Sequence, residues 1–93
     1  MNKKKLIKAR IDIDKVDKRI FNLIKRRTKI VRYMLNLKKY KKEIVDHKRI
    51  NIILSKIRRD SIKNNIDPKI TSRIWKSMIW SYVNFQRKNF KRK

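Results

Sequence analysis

The sequence predicts an all-helical fold built from three helices, the first of them very long. Glycine is absent and proline occurs once in 93 residues, so the residues that form the tight turns of β-rich folds are almost missing. Apolar side chains recur at steps of three and four, which is the spacing of one helix face. A chain of this length supports a single domain, which we assign to residues 1–93.

The first predicted helix covers residues 4–38, where neither glycine nor proline interrupts it. A helix of about 35 residues measures about 50 Å, which exceeds the diameter of a compact domain of this size. We therefore expect another chain to cover part of its apolar face, most simply in an intertwined homodimer. That face consists of Leu6, Ile13, Val16, Ile20, Leu23, Ile24, Val31, Met34 and Leu35.

The second predicted helix begins after Asp46, a good N-cap residue. Residues 39–45 show no clean period and predict a loop, and the second helix fades at residues 63–65. Its apolar positions are Ile50, Ile53, Leu54 and Ile57.

The third predicted helix starts at the sharpest local signal in the chain, Asp67 followed by Pro68. An acid at the N-cap followed by proline at the first helical position is typical of a helix start. We expect this helix to reach about residue 89 and residues 91–93 to fray. Its predicted inward positions are Ile74, Trp75, Met78, Ile79, Tyr82, Val83 and Phe90.

The formal net charge of +24 raises the question of an anionic partner. We expect most of this charge to lie on solvated, lysine-rich helix faces, in line with the coding bias of an AT-rich genome. With no cysteine and His47 as the single histidine, we expect no disulfide, metal site or serine–histidine–aspartate triad. No segment approaches a membrane span of about 20 apolar residues or a signal peptide, which predicts a cytoplasmic protein.

Five polar residues fall on or beside the predicted inward faces. Arg27 and Lys38 are 11 residues apart, about three helical turns, and both lie within the apolar arc of the first helix. Gln86 lies within the apolar arc of the third helix, and Asp46 and Arg49 lie beside that of the second. A cation on a packing face is costly unless an anion meets it. Capping or snorkelling explains each residue alone, but five together favour a binding site.

Arg10 points about 100° away from Arg27, so it is predicted to reach the pocket of a partner subunit in an intertwined dimer. A surface arginine explains it equally well. Cations with one amide and one acid, but without nucleophile or general base, describe a site for a small polyanion. Catalysis there would depend on conformational restraint and electrostatics.

These residues together resemble the all-helical, class II chorismate mutases, which are intertwined three-helix homodimers. The resemblance covers residues 6–90, and each motif is weak alone while their order and spacing are fairly specific. It implies rearrangement of chorismate to prephenate in phenylalanine and tyrosine biosynthesis, without a cofactor. The matching motifs are residues 9–17 (Ala-Arg-Ile-Asp-Ile-Asp-Lys-Val-Asp), residues 23–27 (Leu-Ile-Lys-Arg-Arg), Lys38, residues 46–49 (Asp-His-Lys-Arg), Asp67-Pro68 and Gln86.

The resemblance also implies roles for individual residues. Arg27 and Arg10 of the partner subunit would clamp the two substrate carboxylates. Lys38 and Gln86 would donate hydrogen bonds to the ether oxygen, where negative charge grows as the carbon–oxygen bond breaks.

The other end of the site contains two departures from the family. Asp46 and Arg49 would shape the region that holds the ring hydroxyl. Ile50 stands where the family usually has a glutamate that accepts a hydrogen bond from that hydroxyl, and Tyr82 stands where a small residue such as serine is common. Tyr82 would either crowd the pocket or supply a substitute hydroxyl. Both departures bear on catalytic efficiency more than on fold.

Three alternatives to a mutase remain open at the level of sequence. The first is an isochorismate-pyruvate lyase, an enzyme whose scaffold and site cations look similar to those of the mutases. A basic helical nucleic-acid-binding protein would use clustered lysines and arginines with Tyr40 and Trp80 for stacking. The charge is spread over all three helices without a known motif, so we expect only non-specific electrostatic binding. The third alternative is a degraded mutase kept as a dimeric regulatory or scaffolding subunit, and Ile50 is the residue that supports it.

Overall fold

The computed structural model describes residues 2–91, and part of the segment expected to fray, residues 92 and 93, lies outside them. Within residues 2–91 every element of secondary structure is a helix or a helical turn. The elements are α1 (Lys3–Leu37), a 3₁₀ turn (Lys41–Glu43), α2 (His47–Lys63) and α3 (Pro68–Asn89). The prediction of an all-α chain with a very long first helix is confirmed. The 3₁₀ turn lies in the segment that the sequence predicted as a loop.

The chain divides into two compact units, one up to Tyr33 and the other from Met34 onward. The first unit consists of most of α1. Ten of its large apolar side chains are between 42 and 67 % exposed: Ile7, Ile11, Ile13, Val16, Ile20, Phe21, Leu23, Ile24, Ile30 and Tyr33.

The second unit contains α2 and α3, which pack against each other as a helical hairpin. Asp46 caps α2 by accepting a hydrogen bond from the backbone N–H of Arg49 (2.9 Å). Asp67 caps α3 by accepting one from the N–H of Lys69 (2.9 Å), and Pro68 opens the helix. Both predicted helix starts are therefore confirmed.

The turn between α2 and α3 uses asparagine where many proteins use glycine. Asn65 has φ of 59°, in the left-handed region that asparagine tolerates better than most residues. The N–H of Asn65 donates to the carbonyl of Ile62 (3.3 Å), and the N–H of Ile66 donates to that of Ser61 (2.8 Å). This pair of bonds is a Schellman motif, which ends α2 without a glycine.

Three buried residues form the hydrophobic core of the second unit: Leu35 near the end of α1, Ile44 after the 3₁₀ turn and Val83 on α3. Val45 and Phe90 pack against them. The apolar positions predicted for α2 are all half-buried, and Ile79 and Val83 on α3 are buried. Ile74 was also predicted to face inward, and its side chain is 53 % exposed in the single chain, so its burial stays a prediction that depends on the expected dimer.

Close to the turn, α2 and α3 are joined by a pair of hydroxyl groups. Ser61, which is 3 % exposed, donates to the carbonyl of Ile57 (2.6 Å) and shares a hydrogen bond of 2.7 Å with the hydroxyl of Thr71.

Across residues 2–91, no helix combines the length and the apolar character needed to cross a bilayer.

Candidate active site

Lys38 and Gln86 meet in the second unit. The Nζ atom of Lys38 donates a hydrogen bond to Oε1 of Gln86 over 2.7 Å. Gln86 is 7 % exposed, and Lys38 is half-buried. A lysine is a donor only, so the carbonyl oxygen of the amide must face it. The other end of the amide, Nε2, donates to the backbone carbonyl of Tyr82 (3.3 Å).

The local structure explains why these two side chains are held in place. Lys38 follows directly after α1, and its N–H donates to the carbonyl of Leu35 (3.2 Å), which belongs to the core. Gln86 lies about one turn after the buried Val83 and about two turns after the buried Ile79, on the same face of α3. Each side chain therefore projects from backbone that is anchored by packed neighbours.

The environment changes the proton affinity of Lys38. Burial lowers its pKa below the ordinary value of 10.5, because a charged ammonium loses solvation there. The negative charges of Glu43 and Asp46 act in the opposite direction. Burial is the larger effect, and Lys38 is accordingly a stronger acid than a lysine in water.

The pair retains donors for an anionic ligand. The ammonium of Lys38 has three N–H bonds and the amide of Gln86 has two. The described contacts use one from each group. What the pair offers chemically is two hydrogen-bond donors, one of them charged, fixed next to each other and partly shielded from water.

Asp46 and Arg49 lie together in the first turn of α2, where the carboxylate of Asp46 is engaged with the backbone N–H of Arg49. Both residues are exposed. Tyr82 and Ile50 are half-buried. Asp46 thus has a structural task as a cap, and its predicted contact with a ligand hydroxyl stays a prediction, as does the ligand contact of Arg49 and Tyr82.

The two remaining predicted residues, Arg10 and Arg27, lie on α1 in the first unit. Arg10 is exposed and Arg27 is half-buried. Their roles as carboxylate ligands stay predictions.

Sequence reasoning missed Glu43 in the connection between α1 and α2. Its Oε2 atom accepts hydrogen bonds from the backbone N–H groups of Lys39 and Tyr40, both at 2.7 Å. The signal was present, because a glutamate three residues after a helix-start position is one half of a capping box. The capping-box pattern was missed because the Lys-Tyr-Lys-Lys sequence that precedes Glu43 was interpreted as a loop.

A family comparison is decisive for this chain. The model of the family described as chorismate mutase type II matches residues 9–87. The chain belongs to this family. A search of curated proteins and a search of solved structures each gave no match.

Family membership gives the Lys38–Gln86 pair a context. The matched range contains all seven predicted site residues, and the family is one of chorismate mutases, which are isomerases. Chorismate is the substrate that the family implies. The fold that presents Lys38 and Gln86 to each other is therefore that of an isomerase family whose substrate is a dianion.

Proposed function

We propose that this protein is a chorismate mutase that converts chorismate to prephenate in the cytoplasm, within phenylalanine and tyrosine biosynthesis. The observation that carries the proposal, beyond family membership, is the hydrogen bond between the Lys38 ammonium and the Gln86 amide. A charged donor and a neutral donor held together suit an oxygen that becomes negative during a reaction.

The reaction is an intramolecular rearrangement in which no atom enters or leaves. The ether bond between the ring and the enolpyruvyl group breaks while a carbon–carbon bond forms between the two parts. No proton transfer is required, so the seven site residues need to supply neither a general acid nor a general base. Negative charge grows on the ether oxygen in the transition state, and donors that already point there stabilise the transition state more than the substrate.

Lys38 and Gln86 are the residues we assign to the ether oxygen. Gln86 directs its carbonyl oxygen toward the Lys38 ammonium, which leaves the ammonium's positive charge uncancelled, since an amide carries no net charge. The contact from Gln86 to the Tyr82 carbonyl fixes the orientation of the amide. Each group keeps N–H bonds that these contacts do not use, and donors held in place before the substrate binds are the basis of electrostatic preorganisation.

We assign the two carboxylates of chorismate to Arg27 and to Arg10 of the partner subunit. A guanidinium binds a carboxylate through two parallel hydrogen bonds, which fixes orientation as well as charge. Holding both carboxylates restrains the substrate in its bent, reactive conformer. Asp46, Arg49 and the phenol of Tyr82 are assigned to the end of the site that receives the ring hydroxyl.

The assignment of Arg10 requires a homodimer, which we propose together with the activity. Its support is the large number of exposed apolar side chains on α1, including Ile13, Val16 and Ile20 at 49 to 59 % exposure. Contiguous apolar surface on a soluble protein marks an interaction site. A lone amphipathic helix also gains most of its stability from packing of that face.

The test is conversion of chorismate by purified protein, with the product identified by NMR because substrate and product have the same mass. We expect prephenate. Release of pyruvate from isochorismate, without prephenate from chorismate, would instead identify a lyase. A folded dimer that acts on neither substrate would refute the proposed activity and favour a scaffolding role.

A further inference from the structure

Glu43 is the single glutamate in a sequence with 31 lysines and arginines. It is exposed and belongs to the 3₁₀ turn that follows α1. One of its carboxylate oxygens accepts two backbone hydrogen bonds of 2.7 Å, from Lys39 and from Tyr40. The backbone N–H of Glu43 in turn donates to the carbonyl of Tyr40 (3.0 Å). These three bonds close the turn on itself.

The turn controls the backbone that carries Lys38. Lys38 and Lys39 share a peptide bond, so a fixed N–H at Lys39 restricts the backbone of Lys38 as well. On the other side, the N–H of Ile44 donates to the carbonyl of Lys41 (3.2 Å), and Ile44 is buried in the core. The Glu43 carboxylate thus connects the site lysine to a segment that the core anchors.

Glu43 also acts on the charge of Lys38. Its own pKa lies below the ordinary value of 4.5, chiefly because the N–H of Tyr40 bonds to the carboxylate, so the group is ionised at neutral pH. Two carboxylates raise the pKa of Lys38, Glu43 from the 3₁₀ turn and Asp46 from the cap of α2, against the larger effect of burial. From α3, the group that faces the Lys38 ammonium is the uncharged amide of Gln86, which accepts a hydrogen bond from it.

We propose that Glu43 is a positioning residue for catalysis, which holds the segment after α1 so that the Lys38 ammonium stays next to Gln86. The proposal rests on the proposed mutase function, since Lys38 is the residue assigned to the ether oxygen. Glu43 itself has no assigned contact with substrate. Its effect passes through the backbone of Lys39 and, secondarily, through its charge.

Two variants separate the two effects. Glu43→Gln keeps an acceptor oxygen but removes the charge, whereas Glu43→Ala removes both. Asp60→Asn is the matched control, because it removes one exposed carboxylate charge from α2. We expect Glu43→Ala to lower kcat by about tenfold or more, as a small misplacement of a catalytic group does, while KM changes less. Glu43→Gln should retain most of kcat, and its alkaline activity limb should move to lower pH. Asp60→Asn should behave as wild type.

A purely structural role is distinguished by a second readout. The pKa of the Lys38 ammonium and the side-chain amide shifts of Gln86 are measured by NMR in each folded variant. We expect both signals to change in Glu43→Ala and the pKa alone to fall in Glu43→Gln. A reduced melting temperature with unchanged kcat, or unchanged NMR signals, would overturn the proposal.

The NMR readout does not depend on turnover. If wild-type protein fails to convert chorismate, the proposed function falls, while the NMR result still decides whether Glu43 positions Lys38. If wild type is active and Glu43→Ala is equally active, the function stands and the positioning role falls.

Discussion

Lys38 and Gln86 are separated by 48 positions in the sequence, and their side chains are joined by a hydrogen bond of 2.7 Å. The partner of the lysine is a neutral amide. A carboxylate at that position would neutralise the ammonium, and an apolar residue would leave a polar group in a partly buried place without compensation. The amide satisfies one N–H of the lysine and leaves its charge available to an anionic ligand.

Replacing Lys38 by alanine tests the site directly. We expect Lys38→Ala to lower kcat by about 10²- to 10³-fold, because one preorganised donor to a developing negative charge is worth that much. Helicity measured by circular dichroism should not change, since the side chain lies beyond the last residue of α1. Lys39→Ala is the matched control, because it removes an exposed neighbouring charge and should leave kcat within about twofold. Full activity of Lys38→Ala would refute the site.

The pH dependence of wild-type activity should reveal the state of Lys38. Because burial lowers the pKa of this lysine below 10.5, kcat/KM should fall on the alkaline side with an apparent pKa below that value. Between the lowered pKa and 10.5 the unfolded chain holds more protons at this residue than the native chain does. The contribution of Lys38 to the free energy of unfolding therefore rises with pH across this window.

As the pH rises through this window, kcat/KM thus falls while the contribution of Lys38 to the free energy of unfolding rises. A loss of activity with an unchanged circular dichroism spectrum would therefore assign the alkaline fall in activity to Lys38 and not to unfolding. An alkaline limb centred above 10.5, or one that coincides with unfolding, would contradict the assignment to Lys38.

Replacing Ile50 by glutamate, the residue that the family usually has at this position, tests whether α2 is aligned correctly with the family's second helix. Ile50→Glu should raise kcat/KM by about 10- to 100-fold, since a hydrogen bond to a charged group contributes about 1.5–3 kcal/mol. Ile50 is half-buried, so the variant should also be less stable, because a partly buried carboxylate loses solvation. Ile52→Glu adds the same charge two residues away, at a side chain that is 51 % exposed, and should give no gain. An unchanged or lower kcat/KM in Ile50→Glu would indicate that Tyr82 or another residue has replaced the contact.

The proposed dimer is tested by a charge on the apolar face of α1. Ile20→Glu should shift the mass measured by light scattering from twice 11.6 kDa toward that of one chain, because a carboxylate cannot be buried in an apolar interface without a partner. Activity should fall with the dimer if Arg10 serves the partner's site. Asn22→Glu introduces the same change of charge on the opposite side of the helix and should remain dimeric. A monomeric wild type with full activity would exclude the assignment of Arg10.

Much of the fold was predictable because the signals are local. Asp46 and Asp67 cap helices through backbone N–H groups two or three residues away, and Pro68 needs only its own ring to favour a first helical position. The two helix starts were therefore correct, and α1 differed from its predicted limits by one residue at each end. Ile74 was placed inward because it shares a helical period with buried residues, and its side chain is 53 % exposed in the single chain, so periodicity alone does not decide its burial.

The candidate site was predictable only as a set of residue types on inward faces. The sequence by itself determined the helices, their apolar faces and the unusual presence of Lys38 and Gln86 among apolar neighbours. The tertiary structure alone decided that these two side chains form a hydrogen bond and that Glu43 closes the turn after α1. The physical reason is range: caps and periods are set by residues within about one turn, whereas a contact across 48 positions depends on how α3 packs on the end of α1.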